Sequence, residues 1–184
     1  DVEDMCAAAE HLVQQGSADA SRLCIDGGSA GGFTTLACLA FKQVFKAGAS
    51  MYGIGDLEVL AGDTHKFESR YLDSLIGRYP EDAALYKERS PINSVDTLDC
   101  PVILFQGTED KVVPPNQAQA MYEALKAKGI ATSLNLFEGE QHGFRQSANI
   151  RRCLDGELYF FSKVFGMKCS MPEDMEAIQI DNLP

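Results

Sequence analysis

The sequence predicts an α/β fold, a parallel sheet flanked by helices, on two observations. Strand-like apolar runs alternate with segments whose apolar residues recur at helical spacing, which calls for parallel strands joined by right-handed crossovers. Three of those runs are followed at once by a loop carrying a serine, an acidic residue or a histidine, and the carboxyl ends of parallel strands are where such sheets place working groups.

The elements follow in order. A helix over 2–15, with Met5, Ala9, Leu12 and Val13 at helical spacing, stops at Gly16. A strand over 22–26 runs through a glycine-rich turn into a helix over 31–41, and a short strand follows at about 46–52. Residues 55–98 are mainly helical and polar, broken at Gly62, Gly77, Pro80 and Pro91. Then come a strand over 101–106, a helix over 116–128 with Asn116 as N-cap and Gly129 as its stop, and a strand over 132–137. The last helix, 149–165, places Ile150, Cys153, Leu154, Leu158, Phe161 and Phe165 on one face. Residues 1–166 thus form one domain, and 167–184 an acidic tail without a clear period, read either as docked on a partner domain or as disordered.

Composition narrows the function. With 184 residues, 45% of them hydrophobic, the chain can bury a core of its own. The net charge of −11 argues against partners recognised through phosphates, nucleic acid and anionic membrane surfaces alike. No apolar run reaches the length of a membrane span, and no nucleotide loop or metal-ligand spacing occurs, so neither cofactor nor metal is expected. Six cysteines are scattered, with Cys24, Cys38 and Cys153 inside apolar runs. Free thiols there behave as small hydrophobes, which favours a reducing compartment and a cytoplasmic location.

The most informative stretch is Asp26-Gly27-Gly28-Ser29-Ala30-Gly31-Gly32. A Gly-x-Ser-x-Gly between a strand and a helix is the pattern of a nucleophile elbow, a strained turn that lifts the serine hydroxyl clear of the sheet. Glycines two residues to either side avoid a collision, and the helix N-terminus offers the Ala30 N–H to a developing oxyanion. The bland alternative is a tightly packed strand–helix junction without chemistry. An elbow serine needs a base and the base an orienting carboxylate, in the chain order Ser, acid, His. Of three histidines, His11 lies upstream on a helix and His65 in a polar stretch without strand context; His142 follows the last strand and is flanked by Gly143. The acid follows the strand over 101–106, where Asp110 is chosen over its neighbour Glu109.

Together with Ser90-Pro91-Ile92, Gly107-Thr108-Glu109-Asp110-Lys111-Val112-Val113-Pro114 and Gln141-His142-Gly143-Phe144, the elbow resembles the prolyl oligopeptidase family of serine peptidases. The nearest likeness is to its dipeptidyl-peptidase and acylaminoacyl-peptidase branch, and it runs from Asp1 to about Phe165. The resemblance implies the C-terminal portion of an α/β-hydrolase fold, with Asp110 four residues before Pro114 as the catalytic acid. It implies that Tyr52, Leu57 and Val113 wall the pocket for the residue before the scissile bond, supported by the segment Arg70-Tyr71. It also implies peptide substrates, and an N-terminal β-propeller and first hydrolase strands, with a second oxyanion donor, that lie outside these residues. The chain is accordingly expected to be part of a longer enzyme. A sheet begun at 22–26 exposes an edge, so the isolated chain is expected to dimerise or aggregate. Short-peptide hydrolysis leads the readings; a carboxylesterase with the same three groups, or an inactive interaction module, remain open.

Overall fold

A computed structural model of the chain describes residues 1–63 and 70–183; His65 lies outside them. Four parallel strands, β1 (Cys24–Gly28), β2 (Ala47–Met51), β3 (Val102–Gly107) and β4 (Thr132–Phe137), pair in the order β1-β2-β3-β4. The helices are α1 (Val2–Gln14), α2 (Ala30–Phe41), α3 (Leu57–Asp63), α4 (Tyr71–Leu75), α5 (Ala83–Arg89), α6 (Asn116–Lys128) and α7 (Ser147–Val164), with a 3₁₀ segment at Pro91–Thr97. Gly28 pairs with Met51, Met51 with Phe105 and Gly107 with Phe137, so the carboxyl ends of all four strands lie side by side. This is the parallel sheet flanked by helices that the sequence predicts.

Alternation along β3 shows why its run from Val102 to Phe105 is apolar. Val102 and Leu104 join a core with Leu36, Leu39, Met121 and Leu125 of α2 and α6. Ile103 and Phe105 point the other way, to Cys153 and Phe160 of α7. A strand covered on both faces has no polar side, and each such side chain contributes about 2 kcal/mol by leaving water. Helix α2 likewise carries apolar residues on every face, and Thr35 to Ala40 are all buried.

Several boundaries and faces differ from expectation for identifiable reasons. Strand β1 starts at Cys24, not Arg22, because the Asp19 carboxylate accepts from the Ser21 N–H and the Arg22 Nε–H and holds both in a turn. It runs on to Gly28 because its ladder with β2 continues to Met51. Asn116 is the first helical residue of α6 and not its cap; Pro115, with φ already fixed at −57°, precedes it. Gly129 ends α6 with φ +85°, as expected. On α7 the buried face is Cys153, Gly156 and Phe160, while Ile150, Leu154 and Leu158 are exposed, Leu154 to 65%. Gly156 chose that face: a Cβ there would stand 2.3 Å from the Ile178 Cδ1, so only a bare α-carbon permits so close an approach.

Ile178 itself belongs to the tail, which docks on its own domain. It is buried against α7 and β3, and Asp181 exchanges two backbone hydrogen bonds with Thr132 on the free edge of β4. Tyr122 donates to the Asp181 carboxylate at 2.5 Å, and Arg151 pairs with Asp174. The β4 edge is therefore paired at its first residue alone; at the other edge, among the described residues, β1 has no strand on its outer side.

All six cysteines are free thiols. Burial pushes Cys38 and Cys153 up to about 12 and Cys100 up to about 11, so these three pack as apolar side chains and not as nucleophiles, whereas Cys24 is exposed at the start of β1 and does not join the core. No helix among the described residues is long and apolar enough to cross a membrane.

Glu157, half-buried on α7, is pushed up to about 7 by burial first and then by the like charge of Asp26. A folded-state value above the unfolded 4.5 means that protonation favours the fold; this contribution is complete below about pH 4.5 and is lost as pH rises through 7. Glu157→Gln, which mimics the neutral acid, is expected to raise the calorimetric unfolding midpoint at pH 8 and to leave it nearly unmoved at pH 5. Equal midpoints at pH 8 would show that Glu157 is not strained.

Candidate active site

The turn between β1 and α2 has the backbone geometry an elbow demands. Ser29 has φ +56° and ψ −119°, a conformation that costs a non-glycine residue on the order of 1–3 kcal/mol. Its neighbours hold it there: the Ser29 N–H donates to Met51 O at 3.0 Å, and its carbonyl accepts from the Phe33 N–H at 3.0 Å. A Cβ at Gly27 would stand 2.5 Å from the Gly31 carbonyl. Gly31 differs from expectation, since a Cβ there meets nothing within 4 Å; the collision belongs to one side of the turn only. Ala30 opens α2, so its N–H is one of the first-turn donors without a helical acceptor, beside the serine.

Asp110 sits just past β3, 3% exposed. One carboxylate oxygen, Oδ1, accepts from the Val112 and Val113 N–H groups, both at 2.9 Å. The other, Oδ2, lies 2.8 Å from His142 Nδ1 and accepts from Gln106 Nε2 at 3.4 Å. Glu109 is exposed, so the choice between the two acids follows from burial. His142 Nε2 is 2.8 Å from Ser29 Oγ. A carboxylate can only accept, so Nδ1 carries the proton toward Asp110, leaving the Nε2 lone pair for the serine hydroxyl. Three residues spread over 114 positions of sequence thus form one continuous hydrogen-bonded chain, while His11 lies exposed on α1.

A cavity of about 860 Å³ opens beside Ser29, Ala30 and His142. Leu57 and Val113 line it, with Phe33, Ile54, Val112 and Leu72 among their neighbours. Tyr52 does not line it. Its ring meets the His142 ring edge-on at 5.0 Å and that of Phe144 at 5.1 Å, and its backbone is held at φ +40°. Tyr71 reaches the cavity wall, whereas Arg70 points into solvent and pairs loosely with Asp73 at 3.6 Å. The sequence reading missed Phe33, one helical turn after Ser29, and Gln106, whose place on β3 four residues before the acid was the available signal.

A serine on a strand–helix elbow in a parallel sheet defines the class: this is an α/β hydrolase. The chain belongs to the prolyl oligopeptidase family, peptidase family S9, whose model matches residues 1–168. It is 28% identical to dipeptidyl aminopeptidase BIII of Pseudoxanthomonas mexicana, an alignment that covers 96% of this chain and 28% of that protein. The human acylamino-acid-releasing enzyme is 32% identical over 79% of the chain and 21% of its own length. Among solved structures, a puromycin-hydrolyzing peptidase of Mycobacterium tuberculosis superposes with a TM-score of 0.91 at 46% identity, over 98% of this chain and 27% of that one. The Pyrococcus horikoshii acylaminoacyl peptidase gives 0.79 at 27% identity, over 89% and 27%. The chain therefore spans between a fifth and three tenths of the length of these relatives.

Proposed function

We propose that the protein carrying this chain is a serine peptidase that cleaves short peptides through an acyl-enzyme on Ser29. The observation that carries the reading is the unbroken chain from Asp110 through His142 to Ser29, ending at an apolar cavity. His142 Nε2 takes the hydroxyl proton as Ser29 Oγ bonds to the carbonyl carbon, and the Ala30 N–H supports the oxyanion. The same proton passes to the leaving amine as the C–N bond breaks; water then repeats the sequence on the ester. Asp110 holds the ring tautomer and balances the imidazolium charge. Phe33, Ile54, Leu57 and Val113 suit an apolar side chain before the scissile bond.

Residues 1–166 are read as the C-terminal part of a hydrolase domain whose first strands add at β1, and 167–184 as an acidic tail. The family's β-propeller and a second oxyanion donor belong to the longer protein, and the open β1 edge favours self-association of the isolated chain.

The test is amide hydrolysis by the full-length protein. Puromycin, an amide of an aromatic amino acid, and phenylalanyl anilides are expected to be cleaved, with release of free amine followed by chromatography. Turnover of p-nitrophenyl esters without any amide cleavage would reassign the protein as an esterase.

A further inference from the structure

Two residues before His142 stands a carboxylate that the proposed chemistry leaves unused. Glu140 is 3% exposed, a rare position for an acid unless its oxygens are fully bonded. They are. Oε2 accepts from the Arg145 N–H at 2.9 Å, and Oε1 accepts from the Gln146 N–H at 2.8 Å and from Asn149 Nδ2 at 3.0 Å. Burial alone would push this carboxyl up, but the donors from Asn149, Gln146 and Arg145 outweigh it and hold it below the usual glutamate value.

The place of these donors matters. Gln146, the residue that caps α7, makes no side-chain capping bond of its own. Glu140 supplies the acceptor instead, from the loop, at the positive end of an 18-residue helix. Its main chain faces the opposite way: the Glu140 carbonyl accepts from the Glu109 N–H at 2.9 Å, one residue before Asp110. One residue therefore ties the histidine loop to a rigid helix by its side chain and to the aspartate loop by its backbone. Gly139 and Gly143, both at positive φ, flank the segment and leave it little stiffness of its own.

We propose that Glu140 is a positioning residue, whose buried carboxylate fixes the Nε2 of His142 at bonding distance from Ser29. The inference rests on reading Ser29, Asp110 and His142 as the reacting groups. Glu140 touches none of the reacting atoms; it acts through the loop. Glu140→Gln keeps the size but turns one acceptor into an N–H₂ facing an N–H donor, which displaces the loop. A displacement of an ångström at a reacting group costs on the order of 100-fold in rate.

The experiment uses the full-length protein, an aminoacyl anilide and a fluorophosphonate probe. Glu140→Gln is expected to lower kcat and the fluorophosphonate labelling rate together by about 10- to 100-fold, with KM within about twofold. Lys128→Met controls for stability. Its ammonium donates to the carbonyls of Val95, Asp96 and Leu98, away from the site, so its loss should lower the unfolding midpoint and leave kcat unchanged. If Glu140→Gln cannot be isolated folded, Asn149→Ala, which removes one of the three donors, carries the test through a several-fold fall in kcat at constant KM. Undiminished kcat and labelling in the folded variant, or a loss shared in proportion by Lys128→Met, overturns the positioning role alone. A wild-type protein that neither labels nor turns over overturns the peptidase reading and this inference with it.

Discussion

Ser29→Ala in the full-length protein is expected to lower kcat for amide hydrolysis by on the order of 10⁶-fold, with KM changed little. The size follows from the geometry. Ser29 Oγ is the group on which the His142 Nε2 lone pair is directed, at 2.8 Å, and among the described residues no second hydroxyl takes that place in the chain of bonds. An alanine leaves the strained turn and the cavity walls in place, so substrate should still bind. Intact mass after fluorophosphonate treatment gives the second readout: one adduct in the wild-type protein and none in the variant. An adduct that survives the substitution would move the nucleophile elsewhere and remove the basis of the proposed function.

Asp110→Asn should cost on the order of 10⁴-fold in kcat while leaving the fold nearly unchanged. The two main-chain N–H groups of Val112 and Val113 both point at Oδ1 and will keep an oxygen there. The amide nitrogen then has to occupy the Oδ2 position, where it donates to His142 Nδ1. That reverses the imidazole: the proton moves to Nε2, and the ring can no longer take one from Ser29. Its own N–H₂ also faces the Gln106 N–H₂, so a small loss of stability is expected alongside. Initial rates of anilide hydrolysis measure the effect. Activity within tenfold of wild type would show that the carboxylate does not set the tautomer.

The fold and the three linked residues were legible because each leaves a local mark. β3 and β4 are bounded by proline and glycine signals and are apolar enough to stand out, and β4 matches its expected span of Thr132–Phe137. Ser29, Asp110 and His142 each follow such a strand directly, so their convergence needs only that the strands be parallel and adjacent. What was not legible depends on contacts between distant segments. Helical spacing groups Ile150, Leu154 and Leu158 with Cys153, but Gly156 against Ile178 decides which side of α7 meets the sheet. Tyr52 was placed in the pocket wall by resemblance; its left-handed backbone turns its ring onto His142 instead. The acidic tail has no period because it makes no regular element: Ile178 and Asp181 anchor it singly.

Those two anchors give the sheet a direction. At the β4 edge Asp181 pairs through its main chain with Thr132 alone, the first residue of the strand, while among the described residues β1 has no strand on its outer side. The two edges are therefore unequal: a strand laid along β4 from its first residue would have to displace Asp181, whereas one laid along β1 would displace no strand. Removal of residues 167–184 would take that obstacle away and make the two edges alike, each a row of backbone groups without a strand beside it.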